Sequence, residues 1–577
     1  MPELFSAYLV FGLFIITIAA LIRFQSKPER VFGVLLLSLY ALNLVSTEQV
    51  VASFANQGVL TLVLLMICSL ALEKTRLLRA VANFVIRPSY RRTWLNLFVF
   101  SALSSSVLNN TAVVSTMLAP IKNNAHHPAS KLLIPLSYAA ILGGTLTLVG
   151  TSTNLIVNSM VIEAGFPAIG FFDFTLLGSA LVICSGMTLF VCSRWLPHRT
   201  DKVKAVADYF IDTKVMPGSS LIGRSVEANG LRNLESLFLV EVQRSAQLIS
   251  PVTPSEIIQE GDRLLFSGDI KKVTLLEQFS GLKSFAHQNG LPLNNLSEVI
   301  VRPESVLIDK TLKRAGFRAL FDAAVVAIKR DGEPLSGKLG DVTLKAGDYL
   351  ILAVGDDFKA RHNIAKNFYL ISGVETEQTL SKRKEWLAVG GFICAIGLAA
   401  MNIIPLFQGM LMLLGALVFS KTLNTNEILQ RLPTQIWLII ASALLLSYAL
   451  TNSSAPKVFD AIIDSRQGLF TPFIGLCVIY ISTWWLTELV TNNAAAALMF
   501  PIALGIASGL EIDPTGYIMA VAFGASASFI SPYGYQTNLM VFNAGQYRIL
   551  DFIKVGLPVS LVYSAVTLTG LSYTYAL

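Results

Sequence analysis

Four polar turns interrupt apolar stretches that are otherwise long enough to cross a lipid bilayer: 104–111, 150–154, 491–493 and 531–538. A membrane span needs about 20 mostly apolar residues. Unwound backbone in hydrocarbon is costly unless protein or a watery cavity surrounds it. The pattern therefore predicts a polytopic α-helical membrane protein with polar loops buried at depth. Unbroken candidate spans are Leu4–Ile22, Val31–Val45, Gly58–Leu72, Phe171–Cys192, Trp386–Met401, Phe407–Phe419, Gln435–Leu450 and Val555–Tyr575. Only 14% of residues are charged and 53% are hydrophobic, whereas soluble domains carry about 25% charged residues. That excludes a soluble enzyme, and no catalytic constellation is visible. Cys68, Cys184, Cys192, Cys394 and Cys477 lie in or beside apolar runs without a CxxC pair. They read as small apolar residues, with neither a disulfide framework nor a zinc site.

The charges are unevenly placed. Of 81 Asp, Glu, Lys and Arg residues, 48 fall between Asp201 and Lys384, so a water-soluble insert divides the membrane part. Excess Lys and Arg mark cytoplasmic loops, and the formal net charge of +7 implies no nucleic acid. Arg23, Lys27 and Arg30 follow the first span, 46–57 has no basic residue, and Arg87, Arg91 and Arg92 follow the third. The N-terminus is then extracytoplasmic, and it reads as a first span and not a cleaved signal. A full crossing by Leu95–Ile121 would place Arg194 and Arg199 outside; a re-entrant hairpin keeps them inside. The expected organisation is a first membrane repeat at 1–199, two cytosolic domains at 200–290 and 291–380, and a second membrane repeat at 381–577. Residues 200–380 are expected in the cytoplasm, both termini outside, in a plasma (inner) membrane.

The halves share a grammar. Asn110 and Asn154 are 44 residues apart, and Asn493 and Asn538 are 45 apart. Thr153-Asn154-Leu155 recurs as Thr537-Asn538-Leu539, and Ala119-Pro120-Ile121 as Phe500-Pro501-Ile502. The first half starts outside and the second inside, so the repeats are inverted, a pointer to a secondary transporter. Half-helix N-termini offer free N–H groups and partial positive charge to an anion. Carbonyl, Asn, Ser and Thr oxygens suit sodium. None of the four turns contains Lys, Arg, Asp or Glu, which favours cation-coupled anion uptake. Glu488 has two readings: a proton-coupling acid facing the cavity, or a structural partner for a basic group or backbone N–H. Gly143 and Gly144 allow close helix packing.

The insert also repeats. Residues 260–266 (Glu-Gly-Asp-Arg-Leu-Leu-Phe) are echoed 86 positions later by 346–352 (Ala-Gly-Asp-Tyr-Leu-Ile-Leu). Apolar runs at Leu237–Val242 and Ala324–Ile328 have strand character, and each copy reads as α/β. No GxGxxG or P-loop motif occurs in the insert. A structural or dimerising cap and a sensor of an unknown small-molecule regulator both stay open.

At these residues the chain resembles the divalent anion–sodium symporter family, related to the citrate and arsenite permease group, over roughly 1–200 and 380–577. The resemblance rests on Leu-Asn-Asn-Thr at 108–111, Gly-Thr-Ser-Thr-Asn-Leu-Ile at 150–156, Thr-Glu-Leu-Val-Thr-Asn-Asn-Ala at 487–494 and Ser-Pro-Tyr-Gly-Tyr-Gln-Thr-Asn-Leu-Met at 531–540. The insert resembles two tandem TrkA C-terminal-type domains, a combination similar to bacterial and algal sulfate transporters of the family. The resemblance implies a membrane-embedded homodimer working as an elevator, with co-transported sodium and no organic cofactor. It implies one sodium site at Ser105, Asn110 and Gly150 and another at Thr487, Thr491 and Asn492. Substrate would be bound by Asn109, Asn110, Thr111, Thr153, Asn154, Asn492, Asn493, Thr537 and Asn538. The family's Ser-Asn-Thr tips read Asn109-Asn110-Thr111 and Thr491-Asn492-Asn493 here, which favours a small tetrahedral oxyanion such as sulfate. A dicarboxylate, a proton-coupled or arsenite-type permease, and a sensor or channel gated by the TrkA-type domains are the alternatives.

Overall fold

The computed structural model describes residues 2–24, 27–75, 85–122, 124, 126–199, 210–231, 234, 237–244, 247–249, 252–268, 276, 278–285, 296–303, 305–330, 333–335, 339–355, 358, 363–372, 380–401, 403–430, 432–452 and 471–577. The domain boundaries expected at 200 and 290–291 lie outside these residues.

The chain opens with α1 (Pro2–Arg23), α2 (Pro28–Ala41), α3 (Thr47–Phe54) and α4 (Gln57–Glu73). The run expected as one span at Val31–Val45 ends early and is followed by α3, because Ser46 and Gln49 form a capping box. The Ser46 hydroxyl accepts the Gln49 N–H while the Gln49 side chain accepts that of Ser46, which starts a new helix.

A helical hairpin follows, with α5 (Tyr90–Ser105) and α6 (Asn110–Lys122). Next come α7 (Leu133–Gly144), an irregular stretch at 145–151, α8 (Ser152–Glu163) and α9 (Thr175–Cys192). After the insert, α10 (Lys382–Ala400), α11 (Leu406–Phe419), α12 (Thr425–Gln430) and α13 (Thr434–Asn452) precede a second hairpin, α14 (Pro472–Leu489) and α15 (Asn492–Gly509). Then α16 (Thr515–Ser526), an irregular stretch at 527–535, α17 (Gln536–Ala544) and α18 (Ile549–Tyr575) complete the chain. Among the described residues, five helical segments are long and apolar enough to cross a membrane: Thr47–Leu72, Thr175–Trp195, Pro472–Leu489, Asn492–Gly509 and Ile549–Tyr575.

Both breaks begin before their polar motifs. The motifs were expected to be the unwound segments, yet Thr153-Asn154 and Thr537-Asn538 lie in the first turns of α8 and α17. There Asn154 and Asn538 donate to carbonyls of the breaks, Thr147 and Ser528, and cap no N–H of their own helices. They mark where each helix resumes.

The halves pack by exchange. α5 lies on α7 and α14 on α16, while α17 rests against α6 and α7, and α8 against α15 and α16. Small residues bring backbones together: a Cβ on Gly143 would fall 2.2 Å from the Ala102 carbonyl oxygen, and one on Gly556 2.1 Å from that of Phe529. The buried Tyr138 hydroxyl also donates to the Phe529 carbonyl, so the second break is held from two sides.

The insert forms two five-stranded antiparallel sheets. In the first, β1 (Phe210–Val215), β2 (Leu237–Arg244), β3 (Gln247–Ile249), β4 (Arg263–Gly268) and β5 (Leu282–Phe285) run in the order β3-β2-β4-β1-β5. In the second, β6 (Leu296–Val301), β7 (Ala323–Arg330), β8 (Glu333–Pro334), β9 (Tyr349–Val354) and β10 (Phe368–Ser372) repeat that order as β8-β7-β9-β6-β10. The register shift in β2 between Leu239 and Glu241 recurs in β7 between Val325 and Ala327. Each sheet is pinned by a bidentate pair: Arg244 to the buried Asp262 at 2.9 Å, and Arg330 to the buried Asp348 at 2.7 Å.

The second sheet meets the membrane part. Lys122, the last residue of α6, pairs with Glu298 of β6 at 2.8 Å and contacts the Tyr349 hydroxyl. A Cβ on Gly347 would press on Leu539 and Asn543 of α17. Lys27, between α1 and α2, pairs with Asp309.

Candidate functional site

Each hairpin tip places a hydroxyl against an asparagine five residues on. Ser105, at the end of α5, bonds the side chain of Asn110, the first residue of α6. Thr487, in the last turn of α14, donates toward Asn492 Oδ1 at 3.2 Å, and Asn492 opens α15. Main-chain oxygens complete both clusters. The Ala140 and Gly150 carbonyls lie within reach of the Asn110 carboxamide, and the Ala525 carbonyl accepts the Thr487 hydroxyl at 2.7 Å. A Cβ on Gly144 would come within 2.8 Å of the Asn110 amide and displace it. Thr491 caps α15 by accepting the Ala494 N–H. In the second cluster the Asn492 amide nitrogen and the Ser528 hydroxyl, both buried, find no partner among the described residues. Buried polar atoms normally have one. These donor sets consist of hydroxyl, amide and carbonyl oxygens, the ligands a hard cation takes.

A second group of polar residues is only partly covered. Asn109 caps α6 by accepting the Thr111 N–H at 3.0 Å. Thr111 reaches the Gln536 side chain at 3.4 Å, and Ser152 donates to Asn493 Oδ1 at 2.8 Å. The Tyr535 hydroxyl lies between the Asn110 amide and Thr151. Both hairpin tips and both resumed helices thus converge on one region. Ser152, Tyr535 and Gln536 were missing from the sequence-based set. Their signal was position, since each lies at the first residue of a resumed helix or just before it.

Thr153, Asn154, Thr537 and Asn538 are fully buried. Asn154 Nδ2 donates to the Thr147 carbonyl at 2.9 Å, and Asn538 Nδ2 to the Ser528 carbonyl at 2.9 Å. Thr153 pairs with Ser526 at 2.9 Å, and Ser137 donates to Asn538 Oδ1 at 2.7 Å while its oxygen pairs with the Thr537 hydroxyl at 2.9 Å. These four side chains satisfy backbone and hydroxyl groups at the breaks.

Glu488 binds the second break. Its carboxylate accepts the backbone N–H groups of Phe529 and Ile530, both at 2.9 Å, and of Ser531 at 2.7 Å. Of the two readings open from sequence, this is the structural one: three unwound donors are satisfied by one carboxylate, and such charge-assisted bonds are strong.

Helices broken in pairs around a shared polar centre define a membrane transporter, not a receptor bundle or a pore of continuous helices. The sequence profile of the citrate transporter family matches residues 11–524, and the chain belongs to that family. This supports the resemblance to the divalent anion–sodium symporters. The chain is 32% identical over 559 residues to a Chlamydomonas reinhardtii protein described as "Putative sulfur deprivation response regulator", covering 91% of this chain and 94% of that one. It is 30% identical over 557 residues to an uncharacterized transporter of Synechocystis sp., covering 92% and 90%. It is also 31% identical over 379 residues to sodium/sulfate cotransporter 2 of Chlamydomonas reinhardtii, covering 62% of this chain and 43% of that one.

Proposed function

We propose that this multi-pass membrane protein carries a small divalent oxyanion, sulfate above others, together with sodium. The observation that carries the reading is the matched pair of oxygen clusters, Ser105 with Asn110 and Thr487 with Asn492, each beside partly open polar side chains without formal charge. Two bound cations would supply the positive charge that a dianion needs and that these turns lack. Asn109, Thr111, Ser152, Asn493, Tyr535 and Gln536 are the groups an oxyanion would meet. The relatives named as sodium/sulfate cotransporters support the choice of ions.

The finer mechanism follows from the same reading. The two membrane repeats are inverted, both hairpins are re-entrant, and the hairpins with the broken helices travel as one body. α1–α4 and α10–α13 form the fixed scaffold of a homodimer in a plasma (inner) membrane. A cavity of about 560 Å³, lined by Met160, Phe166, Leu444, Tyr448 and Leu504 among others, lies where α13 meets α8 and α15. Incomplete packing at that boundary supports a sliding interface. The two sheets form the cytoplasmic TrkA C-terminal-type domains, open to a small-molecule regulator, with both termini on the other side.

A thermal-unfolding screen of the purified protein against anions, with sodium or potassium, tests this. Sulfate should raise the unfolding temperature in sodium and much less in potassium, because ligands that bind the native state stabilise it. Stabilisation by a dicarboxylate alone, or equal effects in both salts, would refute it.

A further inference from the structure

The Asn110 carboxamide stands between two environments. On one side are the Ser105 hydroxyl and the Ala140 and Gly150 carbonyls; on the other is the Tyr535 hydroxyl. A carboxamide is nearly symmetric in shape, so it fits either way round, but each fit satisfies different groups. With nitrogen inward, it donates to Ser105 Oγ at 2.5 Å, Gly150 O at 3.1 Å and Ala140 O at 3.3 Å, and its oxygen accepts the Tyr535 hydroxyl proton at 2.5 Å. With oxygen inward, Ser105 donates to Oδ1, and Nδ2 donates to Tyr535 Oη. The second fit turns three carbonyl-type oxygens toward one another. None of them carries a proton, so a cation is what satisfies them together.

The geometry points to Tyr535 as the relay that links cation to anion: the cation turns the Asn110 amide, and the turn reverses the polarity of the tyrosine hydroxyl. A hydroxyl has one proton to give. With amide nitrogen inward, that proton goes to Asn110. With nitrogen outward, Tyr535 accepts from Asn110 and its own proton is released to another acceptor. Thr151 Oγ1 is 3.3 Å away, and Tyr535 is only half-buried, beside the partly open Ser152 and Gln536. An oxyanion at this opening takes the released proton as a hydrogen bond. Sodium thereby creates a donor for the anion, and the anion must strengthen sodium binding by the same factor. The relay needs no backbone movement and no ionisation. It has no counterpart at the other tip, where the Asn492 amide nitrogen finds no partner among the described residues.

This inference rests on the sodium reading of the first cluster. Its test is Tyr535→Phe, which keeps the ring and removes the hydroxyl. Sulfate affinity is measured by calorimetry on the purified protein in saturating sodium and in potassium. The wild-type protein should bind sulfate much more tightly in sodium, through the charge of the bound cations and through the relay together. Tyr535→Phe should lose about tenfold of that ratio, the worth of one charge-assisted hydrogen bond, and keep the part that the cations' charge supplies. Thr151→Ser, which keeps its hydroxyl, should retain the full ratio. Tyr535→Met, flexible and without a hydroxyl, gives a second route should the phenylalanine variant fail to fold, and it should show the same loss. A wild-type ratio in either Tyr535→Phe or Tyr535→Met overturns the relay alone. No sodium effect on sulfate binding in the wild-type protein overturns the sodium reading, and the relay with it.

Discussion

Glu488 holds Ser531 by its backbone: the carboxylate accepts the Ser531 N–H at 2.7 Å and the two preceding N–H groups at 2.9 Å. The tip of the second hairpin is thereby fastened to the second break, so the residues on either side keep one geometry.

Glu488→Gln places an amide N–H₂ where a carboxylate oxygen accepts. At least one backbone donor loses its partner, at a cost of about 2–3 kcal/mol. The unfolding temperature should fall and anion uptake should drop at least tenfold, at every pH tested. Retained uptake with a changed pH profile would instead mark Glu488 as a proton carrier.

Thr487→Val removes one oxygen from the second cluster and leaves the Ala525 carbonyl without the hydroxyl it accepts. The sodium concentration for half-maximal uptake should rise several-fold. The anion KM at saturating sodium should change much less, which a two-variable kinetic series would show.

Gly144→Ala sets a methyl group 2.8 Å from the Asn110 amide. Sodium affinity should fall without loss of fold, because the atoms met belong to the Asn110 side chain, which can shift. Gly143→Ala meets the Ala102 backbone instead, so it should destabilise the protein by about 1–3 kcal/mol. Thermal unfolding and sodium titration separate the two outcomes.

Much of this was legible because polar residues inside apolar runs are conspicuous. The turn residues Asn110 and Asn493, and their matched spacing to Asn154 and Asn538, located the hairpins and the breaks. What periodicity could not show was which way each polar side chain faces. Thr153 and Thr537, substrate ligands by the resemblance, lie buried and bond Ser526 and Ser137. Tyr535 lay within the polar turn 531–538 with no role assigned, yet its hydroxyl reaches Asn110 across 425 residues of sequence, a contact that only tertiary packing creates. The 86-residue repeat was visible in the insert, but its pins were not. Arg244 with Asp262 and Arg330 with Asp348 are each 18 residues apart, and no local pattern pairs them.

Arg330→Ala strands Asp348, whose side chain is 1% exposed. Breaking such a pair costs about 3–5 kcal/mol. Hydrogen exchange should rise across β6–β10 and leave β1–β5 protected, while Arg244→Ala should give the reverse.

Lys122 joins the sheet domain to the helix that begins at Asn110, and its side chain is 8% exposed. Lys122→Glu should undock the second sheet and raise its hydrogen exchange where it meets α6 and α17. Adding Glu298→Lys should restore protection. If the sheet is a brake, the single variant also transports faster with unchanged sodium affinity.

The most direct measurement is uptake of labelled sulfate into liposomes holding the purified protein, with an inward sodium gradient or an equal potassium gradient. Sulfate should accumulate above equilibrium with sodium and not with potassium, and Asn110→Ala should abolish the accumulation. Accumulation of succinate but not sulfate, or sulfate uptake indifferent to sodium, would contradict the assignment of these two asparagine-headed clusters to a sodium-coupled oxyanion carrier.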